Sequence, residues 1–385
     1  MPLRTLAAAA LVLAGSLALR AAAPGDDPTT WDRTAAARAL DARMEMWWTK
    51  AKVLRTGDGE TRCLSCHTAV PYALARPALR LAMNQSAPTA HEERILDTAR
   101  RRVTHVATQQ PYYDHTEAKK VESRGVEAVL NALVLTQYDT LGRSGTGSEA
   151  TRAAIARLWE VQRADGAWDW LNFGLEPYEA NDSVFHGATL AALAVGTSPG
   201  MYASKNEQGQ AGLARLRGYL KTNLGSQRLF NKAWALLASS ALPGTFTTAE
   251  VEALVGELET KQRADGGWSL ADLGPWRWTK TEAPFAPPGT TDAALLAASD
   301  GYATGLVVHA LRRSGAAATR PSIAKGLAWL RSHQVPETAG DAAWAPWRAH
   351  SLNFDREHGG EKGEPWRRLF MSDLATAFAV LALTD

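Results

Sequence analysis

Gln162-Arg163-Ala164-Asp165-Gly166-Ala167-Trp168 recurs, almost letter for letter, as Gln262-Arg263-Ala264-Asp265-Gly266-Gly267-Trp268. A third, stretched copy ends in His333-Gln334 and finds its tryptophan, Trp344, after an insertion. Each copy follows a helix-like segment, at 153–161, 251–261 and 323–331. After each comes a loop and then a second helix of small and apolar residues, at 183–193, 300–311 and 372–381. These second helices are apolar on nearly every side, as buried helices are, while the first helices carry more charge and read as outer ones.

Weaker copies of the same pair occupy 95–108 with 123–133, and 213–220 with 231–237. A first pair is read at 34–54 and 68–83. That makes six helix pairs, and no useful strand-like alternation interrupts them. Helix pairs repeating at intervals of about 50 residues predict stacked helical hairpins. The expected fold is therefore all-α, an α/α toroid of about six hairpins.

The Gln-x-x-x-Gly-x-Trp element resembles the QW motif of squalene-hopene cyclases and related prenyltransferase-like repeats, over most of the chain after Arg100. The resemblance implies a terpenoid cyclase-like toroid. It also implies structural roles for Gln162, Trp168, Gln262 and Trp268, with Gln capping helix-end backbone groups and stacking on Trp. Class II cyclases of that family protonate an alkene with the central acid of an Asp-x-Asp-Asp motif. The best-matching segment here is Glu179-Ala180-Asn181-Asp182-Ser183, so an amide, Asn181, stands where the acid belongs. An amide has no proton acidic enough for that step. The scaffold is cyclase-like, and cyclase chemistry is not expected.

Chemistry is expected elsewhere. Cys63-Leu64-Ser65-Cys66-His67 holds both cysteines of the chain and a histidine directly after the second. This is the C-x-x-C-H pattern of covalent haem attachment: each thiol adds to one vinyl group, and the imidazole ligates iron from below. A disulfide, a redox pair and half of a zinc site are the other readings. Zinc wants four ligands, and there is no second cysteine pair. A thioredoxin-like pair would sit in a βαβ context that is absent. Haem c, one and covalent, with Cys63 and Cys66 as attachment points and His67 as the proximal iron ligand, is the preferred reading.

Residues 1–23 combine a basic start, a short apolar run and a small-residue exit, the pattern of a secretory signal peptide. That run is too short to span a membrane, and no later one is long enough. An exported, periplasmic protein is expected, and haem is attached to such motifs in that compartment. Lys and Arg total 42 against 40 Asp and Glu, with no long basic run, so nucleic acid is not an expected partner. The expected division is a signal peptide at 1–23, a haem-attachment segment at 24–90 and the repeat domain at 91–385. The middle segment is either the first helix pair or a small separate lobe.

Ser123, Ser183, Asp300 and Ser372 read as capping residues of the inner helices, with Thr68 at the matching place in the first pair. The haem would then lie where inner-helix N-termini gather, above a central cavity. Met83, His91, His105, His115 and His186 are candidate sixth ligands, and an open sixth position would favour chemistry over electron relay. Cavity candidates for catalysis are Glu122, Asp182, His186, Asp300 and Asp373, with Tyr302 a possible base. Loop residues Trp170, Trp276, Trp278, Trp344, Trp347 and Trp366 are placed at the cavity mouth. The expected activity is electron transfer or haem-dependent redox chemistry, with a redox partner protein or an apolar small molecule as partner. The competing readings are a haem-free exported toroid enzyme, such as a polysaccharide lyase or hydrolase, and a non-catalytic binding module.

Overall fold

The computed structural model describes residues 30–56, 59–142, 147–278, 283–284, 298–315, 320–337, 344–352 and 369–385. The expected signal segment and Trp366 lie outside them, as does the side chain of Trp278. The described chain is all-α. It forms α1 (Arg33–Lys50), α2 (Ala69–Ala82), α3 (Ala90–Thr104), α4 (Glu117–Leu141), α5 (Glu149–Glu160) and α6 (Ser183–Gly196). It continues with α7 (Glu207–Asn223), α8 (Leu229–Ala241), α9 (Thr248–Glu259), α10 (Gly301–Arg313), α11 (Pro321–Ser332) and α12 (Phe370–Thr384). Strand among the described residues amounts to two-residue hairpins, such as Leu54–Arg55 against Thr61–Arg62.

Local chemistry explains where the helices start. Asp32, Thr116, Ser148 and Asn206 each accept a backbone N–H from the first turn of the helix that follows. Thr89 with Glu92 and Thr247 with Glu250 form reciprocal capping boxes on α3 and α9. Such a cap is worth about 1 kcal/mol. The expected caps on the even-numbered helices need correction. Asp300 does cap α10, accepting from Tyr302 and Ala303 N–H. Ser123 and Ser372 lie inside α4 and α12, which begin at Glu117 and Phe370. Ser183 is the first residue of α6, and its hydroxyl serves the preceding turn, at Pro177 O and Ala180 N–H.

Helices α6, α10, α12 and the middle of α4 are buried on nearly every face. Even-numbered helices neighbour one another: α2 with α4, α4 with α6, α6 with α8, α8 with α10, α10 with α12, and α12 with α2. Odd-numbered helices cover them, as the sequence pairing expects for α1 with α2 and α3 with α4, but not for the later pairs. Helices α5, α7, α9 and α11 pack most on the buried helix before them in the chain, α4, α6, α8 and α10, whereas α1 and α3 pack most on the buried helix that follows, α2 and α4. The connections into α5, α7, α9 and α11 are short. In the other direction α5, α9 and α11 are each followed by a motif loop, while α7 reaches α8 directly through residues 224–228.

The motif loops are built alike. Gln162 Nε2 donates to Gly166 O of its own loop (3.0 Å) and to Gly212 O of α7 (3.0 Å). Gln262 Nε2 donates to Gly266 O (2.9 Å) and to Ser322 O of α11 (2.7 Å). Trp168 and Trp268 donate their indole N–H to Leu158 O and Leu258 O, four residues before each glutamine. Gly166 and Gly266 turn the chain at φ of 99° and 91°, in the left-handed region that favours glycine. A Cβ on Gly166 would lie 2.2 Å from Arg215 O.

The third copy obeys the same rule with a different tryptophan. Trp347 Nε1 donates to Leu330 O (2.8 Å), again four residues before the glutamine, and Trp347 is as fully buried as Trp168 and Trp268. Trp344 donates instead to Val335 O within the insertion. Trp347 is therefore the motif tryptophan, correcting the assignment to Trp344. Gln334 bonds the start of α1, donating to Asp32 O (2.8 Å) and accepting from Asp32 N–H (2.7 Å).

Candidate functional site

Residues Leu40, Arg43, Met44, Trp47 and Trp48 repeat at three- and four-residue spacing and form the buried face of α1. That face aims Arg43 and Trp47 at the entrance to α2. Between the two helices the chain passes through the short hairpin at 54–62 and reaches Cys63. Cys63 N–H donates to Val53 O (3.1 Å), and Trp47 Nε1 donates to Cys63 O (3.0 Å). Ser65 Oγ accepts from the N–H groups of Thr68 (3.3 Å) and Ala69 (3.1 Å). Ser65 thus caps α2, and the Thr68 hydroxyl, expected to cap, is released for another bond.

That bond is to Asp373 on α12. Thr68 Oγ1 donates to Asp373 Oδ2 (2.7 Å), and it also lies 2.8 Å from His67 Nδ1. Arg43 grips both Asp373 oxygens through Nε and Nη2. The side chains of this ion pair are 7% and 4% exposed. Burial raises the Asp373 pKa, while Arg43 and Thr68 act in the opposite direction. The His67 ring stacks on Phe370, at the start of α12, with centroids 3.7 Å apart. Trp47 meets it edge-on at 5.2 Å. One histidine is held by groups from α1, α2 and α12.

Cys63 and Cys66 are both free thiols. Burial pushes both pKa values up, and Glu179 adds to this for both, with Glu127 adding for Cys63. The sulfurs are S–H at neutral pH, the reverse of the depressed pKa that activates a dithiol redox pair. Burial raises the pKa values of Tyr178 and Tyr302, whose hydroxyls are hydrogen-bonded to each other. Among the described residues no three His, Cys, Asp or Glu side chains form a metal-binding group.

The other predicted residues are distributed as follows. His186 is buried beside Trp234 (4.6 Å) and Tyr178 (5.0 Å), and its Nδ1 has no hydrogen-bond partner. Burial alone pushes its pKa down to about 3, so it is a neutral imidazole. Asp300 accepts N–H bonds from Tyr302, Ala303 and Leu270, yet burial outweighs them and pushes its pKa up to about 6. Asp182 pairs with Arg228, which also holds Glu176 (2.9 Å). Glu122 pairs with Lys119 and accepts from Asn172 N–H. Of the five carboxylate and imidazole candidates, only Asp373 joins the cysteine turn by direct bonds.

Met83 lies at the far end of α2, about 22 Å along the axis from Thr68 at 1.5 Å per residue. His91 sits in the first turn of α3 against Tyr72, and His105 and His115 are exposed. Trp170 and Trp276 donate to Tyr178 O and Leu270 O and are buried. With Trp347 committed to its motif, these three pack the interior and do not form an open mouth. Arg43, Trp47 and Phe370 were not among the predicted residues, and Thr68 was expected only as a helix cap. An arginine on the apolar face of α1 was the one local sign available.

No helix among the described residues is long and apolar enough to cross a membrane. No family model matches the chain, and no curated protein matches it.

Proposed function

We propose that the chain is an exported c-type haem protein on a squalene-cyclase-like α/α toroid, working in electron transfer or haem-dependent redox chemistry in the periplasm. The toroid reading rests on the order of neighbours: the buried helices touch in sequence from α2 to α12, and α12 touches α2 again. Gln334 bonds α1 as the other motif glutamines bond their next covering helix, so α1 and α2 belong to the ring and are not a separate lobe.

The observation that carries the haem reading is the tethering of His67. A hydroxyl has one proton, and Thr68 gives its proton to the Asp373 carboxylate. Thr68 Oγ1 therefore accepts from His67 Nδ1–H, and Nε2 is left as the lone-pair nitrogen that ligates iron. Two unpaired thiols on the turn just before it complete the donor set for one covalent porphyrin. Each S–H would add across a vinyl double bond, sulfur to one carbon and hydrogen to the other, with no net oxidation. Bound haem would supply a one-electron carrier or an iron centre. The protein's part is to hold Cys63 and Cys66 on one turn, to orient His67 through Thr68 and Phe370, and to bury the attachment edge. A redox protein or an apolar small molecule is the proposed partner.

The test is expression in a host that matures c-type cytochromes. The denatured protein should carry the mass of one haem and give a c-type pyridine haemochrome spectrum, both lost in Cys63→Ser with Cys66→Ser. Loss of residues 1–23 in the same mass measurement would support export. Colourless protein of unmodified mass overturns the assignment.

A further inference from the structure

We propose that Thr68 and Asp373 are positioning residues that make His67 an electron-rich iron ligand, so that α12 sets the potential of a haem attached at the other end of the chain. The inference rests on the haem reading above. Its geometric basis is a continuous line of bonds: Arg43 to Asp373, Asp373 to Thr68 Oγ1 (2.7 Å), and Thr68 Oγ1 to His67 Nδ1 (2.8 Å). The carboxylate lies 305 positions from the threonine in sequence.

Three features separate this line from ordinary packing. The Asp373 carboxylate is buried, and a hydrogen bond ending on a buried charge is stronger than one in water. Ser65 supplies the α2 cap, so the Thr68 hydroxyl is not needed for helix formation. Phe370 stacked at 3.7 Å and Trp47 edge-on at 5.2 Å fix the plane of the imidazole, which matters for a metal ligand. An outer partner that accepts from the second ring nitrogen raises the basicity of a ligating histidine. A more basic imidazole stabilises ferric over ferrous iron and lowers the midpoint potential.

Potentiometric titration of the haem-loaded protein tests this. Thr68→Val keeps the side-chain shape and removes the link. It should raise the midpoint potential, and so the ferrous share at a fixed poise, with one haem still bound by mass. Thr68→Ser keeps the hydroxyl and should hold the wild-type potential. Unchanged potential in Thr68→Val, with haem retained, overturns the proposal. If the mass spectrum shows no haem in any protein, the haem reading has failed, and the relay is then read directly. Nitrogen-15 NMR of wild-type protein, with His67 identified by its loss in His67→Gln, should show protonated Nδ1 at neutral pH. A protonated Nε2 instead overturns the relay.

Discussion

The motif loops and the cysteine turn are held by different sets of contacts. In the loops, glutamine and tryptophan bond backbone carbonyls, in the same register at Gln162, Gln262 and Gln334. Carbonyls exist at every residue, so the device can be copied and can survive an insertion as long as that between Gln334 and Trp347. The cysteine turn occurs once. It is held by the side chains of Arg43, Trp47, Phe370 and Asp373, which come from both ends of the chain. Repetition secures the scaffold, and a unique set of side chains marks the place where chemistry is expected.

The largest effect should come from the loops. Trp168→Ala and Trp347→Ala should each destabilise by about 3–5 kcal/mol in urea unfolding, from the lost ring and the orphaned leucine carbonyl. Trp344→Ala should stay below about 1.5 kcal/mol. Equal losses at Trp344 and Trp347 would break the register proposed for the third copy. Next is the cysteine turn. Asp373→Asn leaves the buried Arg43 charge without its partner, at a cost of about 3 kcal/mol. A loss under about 1 kcal/mol in the same unfolding measurement would remove the contrast between the two regions.

The pH dependence sharpens the comparison, because two interior groups outside the cysteine turn titrate with opposite sign. His186 has its folded pKa near 3, against 6.5 unfolded. The unfolded chain takes up the proton first, so this contribution is complete above pH 6.5 and is lost as pH falls toward 3. Relative to His186→Leu, wild-type stability should fall by about 1.4 kcal/mol per pH unit in that window. Equal slopes in the two proteins would mean that His186 is reached by solvent. The smallest effect belongs to Asp300, folded pKa about 6 against 3.8. Here the folded state holds the proton more tightly, so its contribution is present below pH 3.8 and is lost as pH rises through 6. Asp300→Asn keeps a cap but does not titrate, so relative to it wild-type stability should fall by about 1.4 kcal/mol per pH unit between pH 4 and 6, a narrower window than that of His186. The substitution should abolish this component in unfolding curves taken from pH 4 to 7.

Much of the scaffold could be read from one dimension. Helices α6, α10, α12 and the middle of α4 announce themselves because nearly every face is apolar. Helices α3 and α9 start before the expected 95 and 251, because the capping boxes Thr89-x-x-Glu92 and Thr247-x-x-Glu250 went unrecognised. What failed was what depends on loops. Trp344 is nearer to Gln334 in sequence, but Trp347 is the one that returns to Leu330. Ser123 and Ser372 resemble caps, but their helices begin before them, at Glu117 behind the Thr116 cap and at Phe370. The covering order was missed from α5 onward because chain succession does not say on which neighbour a helix lies.

The amino-acid order by itself determined the helical periodicity, the repeat with its glutamine-glycine-tryptophan turns, and the Cys63–His67 turn. Each depends on residues close enough along the chain to interact through their own backbone. Only the tertiary structure decided that His67 is tied to Asp373 through Thr68, that Asp182 and Glu122 are occupied elsewhere, and that His186 is sealed among aromatic rings. Those contacts form only when distant segments are brought together by packing, and no local pattern records which side chain will be waiting there.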